Sequence, residues 1–313
     1  MSTAFWPLIK FVPAQTHFKF TRLAPFLAIV SAVAVIASVV SFFTVGLNLG
    51  LDFKGGTVIE FSTPGPAPLA EMRAALAKAG LKDPAVQGLG APNEAKLSYL
   101  PEGTDPTAGV PKLEAQLVQQ FPGIKFKPAT AVGGKVSGEL FTDGMMALGI
   151  AIGLMLLYIW FRFQLQFGLG AVIAIFHDLI LTIGVLSALR IEFSMTSVAA
   201  LLTIIGYSMN EKVITFDRLR ENLRKYKRTA LRDIIDLSEN ERLSRTLITG
   251  STALLALGGM LFLGGSALFP LVFAMVFGII IGTYSSIYVA LPIILVWGVK
   301  RGDEEAKPLP SKP

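Results

Sequence analysis

Residues 246–299 read TLITGSTALLALGGMLFLGGSALFPLVFAMVFGIIIGTYSSIYVALPIILVWGV and contain no Asp, Glu, Lys, Arg or His. This run of 54 residues is long enough for two membrane spans and a turn, because one span needs about 20 apolar residues. Three further uncharged intervals, of 29, 18 and 18 residues, lie at 23–51, 144–161 and 193–210. With 52% hydrophobic and only 16% charged residues among 313, the chain is predicted to be an integral membrane protein rather than a soluble enzyme.

Six membrane-spanning helices are predicted from these intervals. The final uncharged run divides at Gly264-Gly265-Ser266 and Phe269-Pro270, where a turn is favoured. The first span is too long for a cleaved secretory signal and is therefore predicted to be retained. The predicted order is an N-terminal lead (1–22), spans at 23–46, 142–161, 167–189, 194–216, 246–263 and 270–298, an outer domain (47–141) after the first span, a loop (217–245) after the fourth, and a tail (299–313).

The distribution of basic residues predicts the orientation. The 217–245 loop carries nine Lys and Arg residues, and the N-terminal lead, Arg162 and Lys300-Arg301 fall on the same side of the membrane. Short basic loops stay in the cytoplasm, so both termini are predicted to be cytoplasmic in a multi-pass inner-membrane protein. The 47–141 segment has nine basic and nine acidic residues, is neutral, and is predicted to be periplasmic. The net charge of +6 therefore reflects topology and not nucleic-acid binding.

The outer segment is predicted to be a small α+β domain. Residues 57–61 (TVIEF) alternate as in a strand, and the helical spacing of the residues after Pro68 stops at Gly80. The predicted elements are a strand at 57–61, a helix at 69–79, strands at 84–89 and 95–100, a helix at 110–121 and a strand at 124–132. The order β-α-β-β-α-β is that of the ferredoxin-like motif.

The residue inventory excludes several chemistries. The chain has no Cys, which excludes disulfides, thiolate catalysis and Cys-ligated zinc. Two His residues without a carboxylate cluster predict no metal site, and nothing indicates a hydrolytic triad or a cofactor. The chain is therefore predicted to perform no covalent chemistry.

Glu211 is the first candidate for function. If the fourth span ends near Asp217, Glu211 lies about 9 Å inside the membrane boundary, where a carboxylate is costly and usually faces a bundle interior. The alternative is that Glu211 and Lys212 are interfacial and extend to the lipid headgroups.

Neighbouring polar residues favour a functional role for Glu211. Tyr207 and Thr215 lie one turn on either side of it, and the adjacent Asn210 is able to bond across helices. Arg245 opens the fifth predicted span at the same level and is a candidate ion-pair partner; alone it would only mark topology. A polar face of this kind is what a proton relay requires.

Two further positions are candidates. Asp178, beside His177, interrupts the third predicted span near mid-membrane and is either a relay group or a structural hydrogen-bonding group. Asp52 lies in a glycine-containing exit from the first span, for which a structural turn is favoured over phosphate binding. Gly278 and Gly282 have the G-x-x-x-G spacing that allows close helix packing.

Four segments resemble signatures of the SecD/SecF family, in order along residues 20–300. They are LDFKGGT at 51–57, with Asp52, Gly55 and Gly56; VGGKVSGEL at 132–140, with Gly133 and Gly134; GYSMNEKV at 206–213 followed by FDRLRE at 216–221; and SRTLIT at 244–249. The last two resemble the SecF branch of the family.

The resemblance implies a fold and a function. The fold would be an α-helical membrane protein with six transmembrane helices, like the RND (resistance-nodulation-division) transporters, carrying a ferredoxin-like periplasmic domain. The function would be export of polypeptides with the proton gradient, together with SecD in a heterodimer, the SecYEG channel, SecA and YajC. The family's proton-responsive carboxylate falls on Glu211 and its arginine partner on Arg245. The family usually has Asp and then a small hydroxylated residue where this chain has Glu211 and Lys212.

Two other functions remain open from the residues. One is a half-size RND-type exporter of small molecules or lipids, although a six-element outer domain leaves little room for a ligand pocket. The other is a passive scaffold whose outer domain only docks a partner.

Overall fold

The computed structural model describes residues 16–89, 91–101 and 107–299. Most of the N-terminal lead and the predicted tail, with Lys300-Arg301, lie outside the described residues. The helices are α1 (Phe20–Thr44), α2 (Leu51–Lys54), α3 (Leu69–Lys78), α4 (Val110–Gln120), α5 (Gly134–Arg162), α6 (Leu165–Ala188), α7 (Met195–Lys225), α8 (Leu231–Leu263), α9 (Gly265–Ser285) and α10 (Leu291–Trp297), with a π-helical turn (Ser286–Ala290) between α9 and α10. The strands are β1 (Asn48–Leu49), β2 (Gly56–Ser62), β3 (Lys82–Gly88), β4 (Glu94–Leu100), β5 (Lys125–Phe126), β6 (Thr130–Val132) and β7 (Glu192–Phe193).

Membrane helices dominate the described chain. Five stretches are long and apolar enough to cross a membrane: α1, α5, α6, α8, and α9 continued through the π-helical turn into α10. α7 is less apolar because Asn210, Glu211 and Lys212 follow its apolar first turns. It packs against α5, α6, α8 and α9, so Glu211 and Lys212 lie within a helix bundle.

Several helix bounds differ from the predicted ones. α5 begins at Gly134, eight residues before the predicted span, and α6 continues through His177-Asp178 without interruption. Most of the predicted 217–245 loop is helical, because α7 extends to Lys225 and α8 begins at Leu231. The membrane helices thus extend by several turns into the polar segments. Charged residues such as Lys, Arg and Glu form helices readily, so a helix can continue beyond its apolar part.

The outer domain has the predicted ferredoxin-like order. Its antiparallel sheet has the strand order β3-β4-β2-β5, and β6 also pairs with β2. Alternation in β2 buries Ile59 and Phe61 against α3 and α4, which contribute Met72 and Leu113 to the same core. The other face of the sheet is directed away from this core.

The outer domain is joined to the bundle at the start of α7. β1 pairs in parallel with β7, the carboxylate of Asp52 accepts a hydrogen bond from the backbone N–H of Met195 (3.0 Å), and Lys96 forms an ion pair with Glu192. Negative charge at a helix N-terminus is favourable because it satisfies an otherwise free N–H group and opposes the helix dipole. Asp52 therefore links the exit from the first span to the first turn of α7.

Glycines permit close packing at this junction and inside the bundle. Gly55 and Gly56 adopt φ values of 70° and 122°, and a side chain at Gly55 would meet Gly134 at 3.2 Å. Gly133 is the residue that precedes α5, so the two glycine motifs lie against each other. In the bundle, a Cβ atom at Gly278 would lie 2.4 Å from Ile204, and one at Gly282 would lie 3.2 Å from Ser208, which brings α9 close to α7.

Candidate functional site

Five charged side chains are buried together in the helix bundle. They come from α6, α7 and α8, none is more than 4% exposed, and they form two adjoining clusters: Asp178, Lys212, Glu211, Arg242 and Glu239. Charged groups in such a position are usually paired because an isolated buried charge is costly.

The first cluster is centred on the Asp178 carboxylate of α6. Its Oδ2 atom lies 2.9 Å from Lys212 Nζ and accepts hydrogen bonds from Ser208 Oγ (2.5 Å) and Ser285 Oγ (2.7 Å). Lys212 also donates to Ser285 Oγ at 3.0 Å. α6, α7 and α9 are therefore held together by one buried ion pair and two hydroxyl groups.

His177 extends this cluster toward α1. Its Nδ1 atom lies 2.9 Å from Asp178 Oδ1, and its ring stacks on Tyr284 with 6.2 Å between centroids. Tyr284 in turn donates a hydrogen bond to the Leu27 carbonyl in α1. The Nε2 atom of His177 is buried and has no hydrogen-bond partner within the described part of the chain.

The second cluster is centred on the Arg242 guanidinium of α8. Its Nε and Nη2 atoms donate to Glu239 at 2.8 and 2.6 Å, whereas Nη1 reaches Glu211 Oε2 at 3.2 Å. Thr246 Oγ1 donates to the same Glu211 oxygen at 3.1 Å, and Ser286 Oγ accepts from Arg242 at 3.0 Å. One guanidinium thus serves two carboxylates and is closer to Glu239.

Neighbouring residues connect the two clusters. Glu211 and Lys212 are adjacent on α7 and, about 100° apart on the helix, face different partners. Ser285 and Ser286 are adjacent where α9 passes into the π-helical turn, and both are fully buried, one in each cluster. Such turns are rare and are often found at functional sites.

The charges of the two clusters do not balance. The five side chains comprise three carboxylates and two cations, so when all are ionised they carry one surplus negative charge. Burial penalises that surplus, and binding a single proton removes it. The arrangement is therefore suited to binding and releasing one proton.

The structure brings together some of the predicted residues. Glu211 and Asp178 lie in adjoining clusters, and Tyr207 is half-buried nearby, with its Oη atom 3.4 Å from Thr283 Oγ1. Asn210 is exposed on the other side of α7 and belongs to neither cluster. Successive residues of a helix point about 100° apart, so Asn210, one residue before Glu211, faces away from both clusters.

The predicted pairing of Glu211 with Arg245 is wrong in this structure. Arg245 is exposed, and the partner of Glu211 is Arg242. The error follows from the predicted start of the fifth span at 246, which left Arg242 in a loop. Since α8 begins at Leu231, both arginines are helical, and Arg242 faces α7.

Sequence reasoning missed the functional placement of Lys212, Glu239 and Arg242. Lys212 was predicted only as an interfacial group, whereas it is fully buried against Asp178. The available signal was the spacing of Glu239, Arg242 and Thr246, at i, i+3 and i+7, which places all three on one helix face. Within the described residues, no group of three or more His, Asp and Glu side chains is arranged to hold a metal ion.

Comparison with protein families matches two models. Residues 112–300 match the C-terminal model of the protein export membrane proteins SecD/SecF, and residues 40–63 match the SecD/SecF GG motif. The chain is 41% identical over 309 residues to the protein translocase subunit SecF of Cereibacter sphaeroides, covering 94% of both chains. It is 42% identical over 315 residues to the SecF subunit of Rhodobacter capsulatus, covering 96% of this chain and 95% of that one.

Solved structures show the same fold. The crystal structure of SecDF from Thermus thermophilus, a translocon-associated membrane protein, matches 92% of this chain with a TM-score of 0.83 and 30% identity. SecDF in its super-membrane-facing form matches with a TM-score of 0.67 and 31% identity. This chain spans 40% of the length of the first SecDF chain and 39% of the second. The family models, the relatives and the fold agree: the chain belongs to the SecD/SecF family of protein-export membrane proteins.

Proposed function

We propose that this chain is the SecF-type subunit of the Sec protein-export machinery and that, together with SecD, it uses the proton gradient to complete translocation of secreted polypeptides. Similarity to SecF subunits over nearly the whole chain supports the role in export. The observation that carries the proton coupling is the surplus carboxylate among five buried charges inside a membrane bundle. The proposed partners are SecD, SecYEG, SecA, YajC and the exported polypeptide.

The proposed orientation places the α7–α8 connection and both termini in the cytoplasm and the ferredoxin-like domain in the periplasm. Support comes from the basic residues of segment 217–245 and the neutrality of the outer domain. The charge clusters then lie between the two aqueous phases, where a proton gradient acts across them.

Protonation of Glu211 is the proposed switching event. A neutral Glu211 no longer attracts Arg242 as an ion, so the contacts that join α7 to α8 weaken and a second helix arrangement is favoured. Moving one charge through 100 mV supplies about 2.3 kcal/mol, enough to shift a two-state equilibrium substantially. One of the solved SecDF structures is named for a super-membrane-facing form, and this naming of a form is compatible with the proposed two-state description.

The exporter alternative receives less support. Clefts of about 250 and 630 Å³ lie at the junction of the outer domain and the bundle, so there is more space than the sequence predicted. This space is between the domain and the membrane helices, and the larger cleft is lined by charged side chains such as Glu60 and Lys96 as well as by Phe262. The SecF relatives favour protein export over this alternative.

The test measures export of a secreted precursor into membrane vesicles that contain this chain and SecD, with and without an uncoupler. We expect Glu211→Gln and Arg242→Met to reduce export to the rate seen with the uncoupler, because each removes one side of the pair.

Arg232→Met is the matched control, because Arg232 lies on the same helix and is exposed. Wild-type, uncoupler-sensitive export in both Glu211→Gln and Arg242→Met would contradict the proton-coupling proposal. A wild-type chain that ignores the uncoupler would favour the passive scaffold.

A further inference from the structure

The second carboxylate on Arg242 is not explained by a site that uses only Glu211. Glu239 is 1% exposed and is joined to Arg242 by two short contacts of 2.6 and 2.8 Å. An ion pair between Glu211 and Arg242 alone would balance its own charge. Glu239 creates the surplus charge, so its burial requires a compensating proton on one of the two carboxylates.

The geometry around Arg242 is asymmetric. The guanidinium is closer to Glu239 than to Glu211, which it reaches with one nitrogen at 3.2 Å while a neutral donor, Thr246, occupies the same oxygen at 3.1 Å. Arg242 is therefore the primary ion-pair partner of Glu239 and only a secondary partner of Glu211. The reverse arrangement needs only a shift of the guanidinium toward Glu211.

Glu239 lies closer than Glu211 to the α7–α8 connection. It follows the first residue of α8 by eight positions, about 12 Å, whereas Glu211 precedes the last residue of α7 by fourteen, about 21 Å. Within the described residues, Asp236 on α8 and Tyr288 in the π-helical turn interact electrostatically with Glu239, in addition to Glu211 and Arg242. A proton on Glu239 is therefore nearer the end of the bundle.

We propose that Glu239 is a second proton-binding group, which receives the proton from Glu211 while Arg242 moves its ion pair from Glu239 to Glu211. One proton leaves a Glu211 oxygen and one binds a Glu239 oxygen, Arg242 stays protonated, and the net charge of the cluster is unchanged. The inference rests on the proposed proton coupling and adds the route by which the proton leaves toward the α7–α8 connection.

The first experiment compares Glu239→Gln with Glu211→Gln in the same vesicle export assay with SecD present. We expect Glu239→Gln to reduce export to the uncoupled rate although Glu211 and Arg242 are both intact. Glu241→Gln is the matched control, because Glu241 lies on α8 two residues away and pairs with Arg218 at the surface. Normal coupling in Glu239→Gln with loss in Glu211→Gln would overturn this inference and leave the proposed function standing; normal coupling in both would overturn the proposed function.

A second measurement does not depend on the folding of Glu239→Gln. The complex with SecD, in lipid vesicles, is titrated while infrared spectra record the C=O stretch of protonated carboxyl groups. Glu→Asp substitution keeps the charge and changes that band. We expect both Glu239→Asp and Glu211→Asp to alter the band; a change in Glu211→Asp alone would show that Glu239 never binds the proton and would overturn the inference.

Discussion

Replacing Lys212 by Met removes the ammonium group that pairs with the Asp178 carboxylate. The Lys212 Nζ and Asp178 Oδ2 atoms are 2.9 Å apart, so at an effective dielectric constant of about 20 the gross attraction is about 6 kcal/mol. Ser208 and Ser285 still donate to the carboxylate and offset part of the loss. We expect Lys212→Met to lower the free energy of unfolding by about 3–5 kcal/mol, as is usual when one partner of a buried pair is removed.

The assay is reversible unfolding in mixed detergent micelles, followed by circular dichroism. The double variant Asp178→Asn/Lys212→Met removes both charges and is expected within about 2 kcal/mol of the wild type, because a neutral pair needs no compensation. Lys225→Met, at the exposed end of α7, is the control and is expected to change stability by about 0.5 kcal/mol or less. The reasoning would be refuted if Lys212→Met lowered the free energy of unfolding by less than about 1 kcal/mol. It would also be refuted if the double variant lowered it by as much as Asp178→Asn and Lys212→Met do in sum.

Two further predictions concern helix contacts. Gly278→Ala places a methyl group about 2.4 Å from Ile204. The resulting overpacking should lower the free energy of unfolding by about 1–3 kcal/mol in the same assay. Gly149→Ala is the control and should be tolerated, because the position is open. Asp52→Ala removes the carboxylate that accepts a hydrogen bond from the Met195 N–H at the start of α7. The change should destabilise this junction by about 0.5–2 kcal/mol and make limited proteolysis there faster. An unchanged cleavage rate would contradict the role of Asp52 at the helix start.

The fold was largely predictable because its signals are local. Uncharged intervals located the membrane helices, and the alternation that ends in Phe61 identified the first strand of the outer domain. Glu211 and Asp178 were identified because a carboxylate within an apolar interval is costly unless it is paired. These arguments need only the residues within one segment.

The pairing of the charges was not predictable in the same way. The choice between Arg242 and Arg245 depends on where α8 begins, and its first turns are polar, so hydropathy places the start about four turns too late. The burial of Lys212 depends on the distance between α6 and α7, which is set by tertiary packing and is not visible in either segment. Glu239 lies in the same polar first turns of α8, so hydropathy places it in a loop.

The hydrogen bond between Asp52 and Met195 has a mechanical consequence. α7 is anchored at its outer end to the segment that leads into the sheet, and Lys212 lies seventeen residues along the same rod, about 26 Å away. A rotation of α7 about its axis must therefore either break that anchor or exert a torque on the outer domain. In the proposed proton-coupled mechanism, this anchor is the connection by which discharge of a buried carboxylate does work on the outer domain.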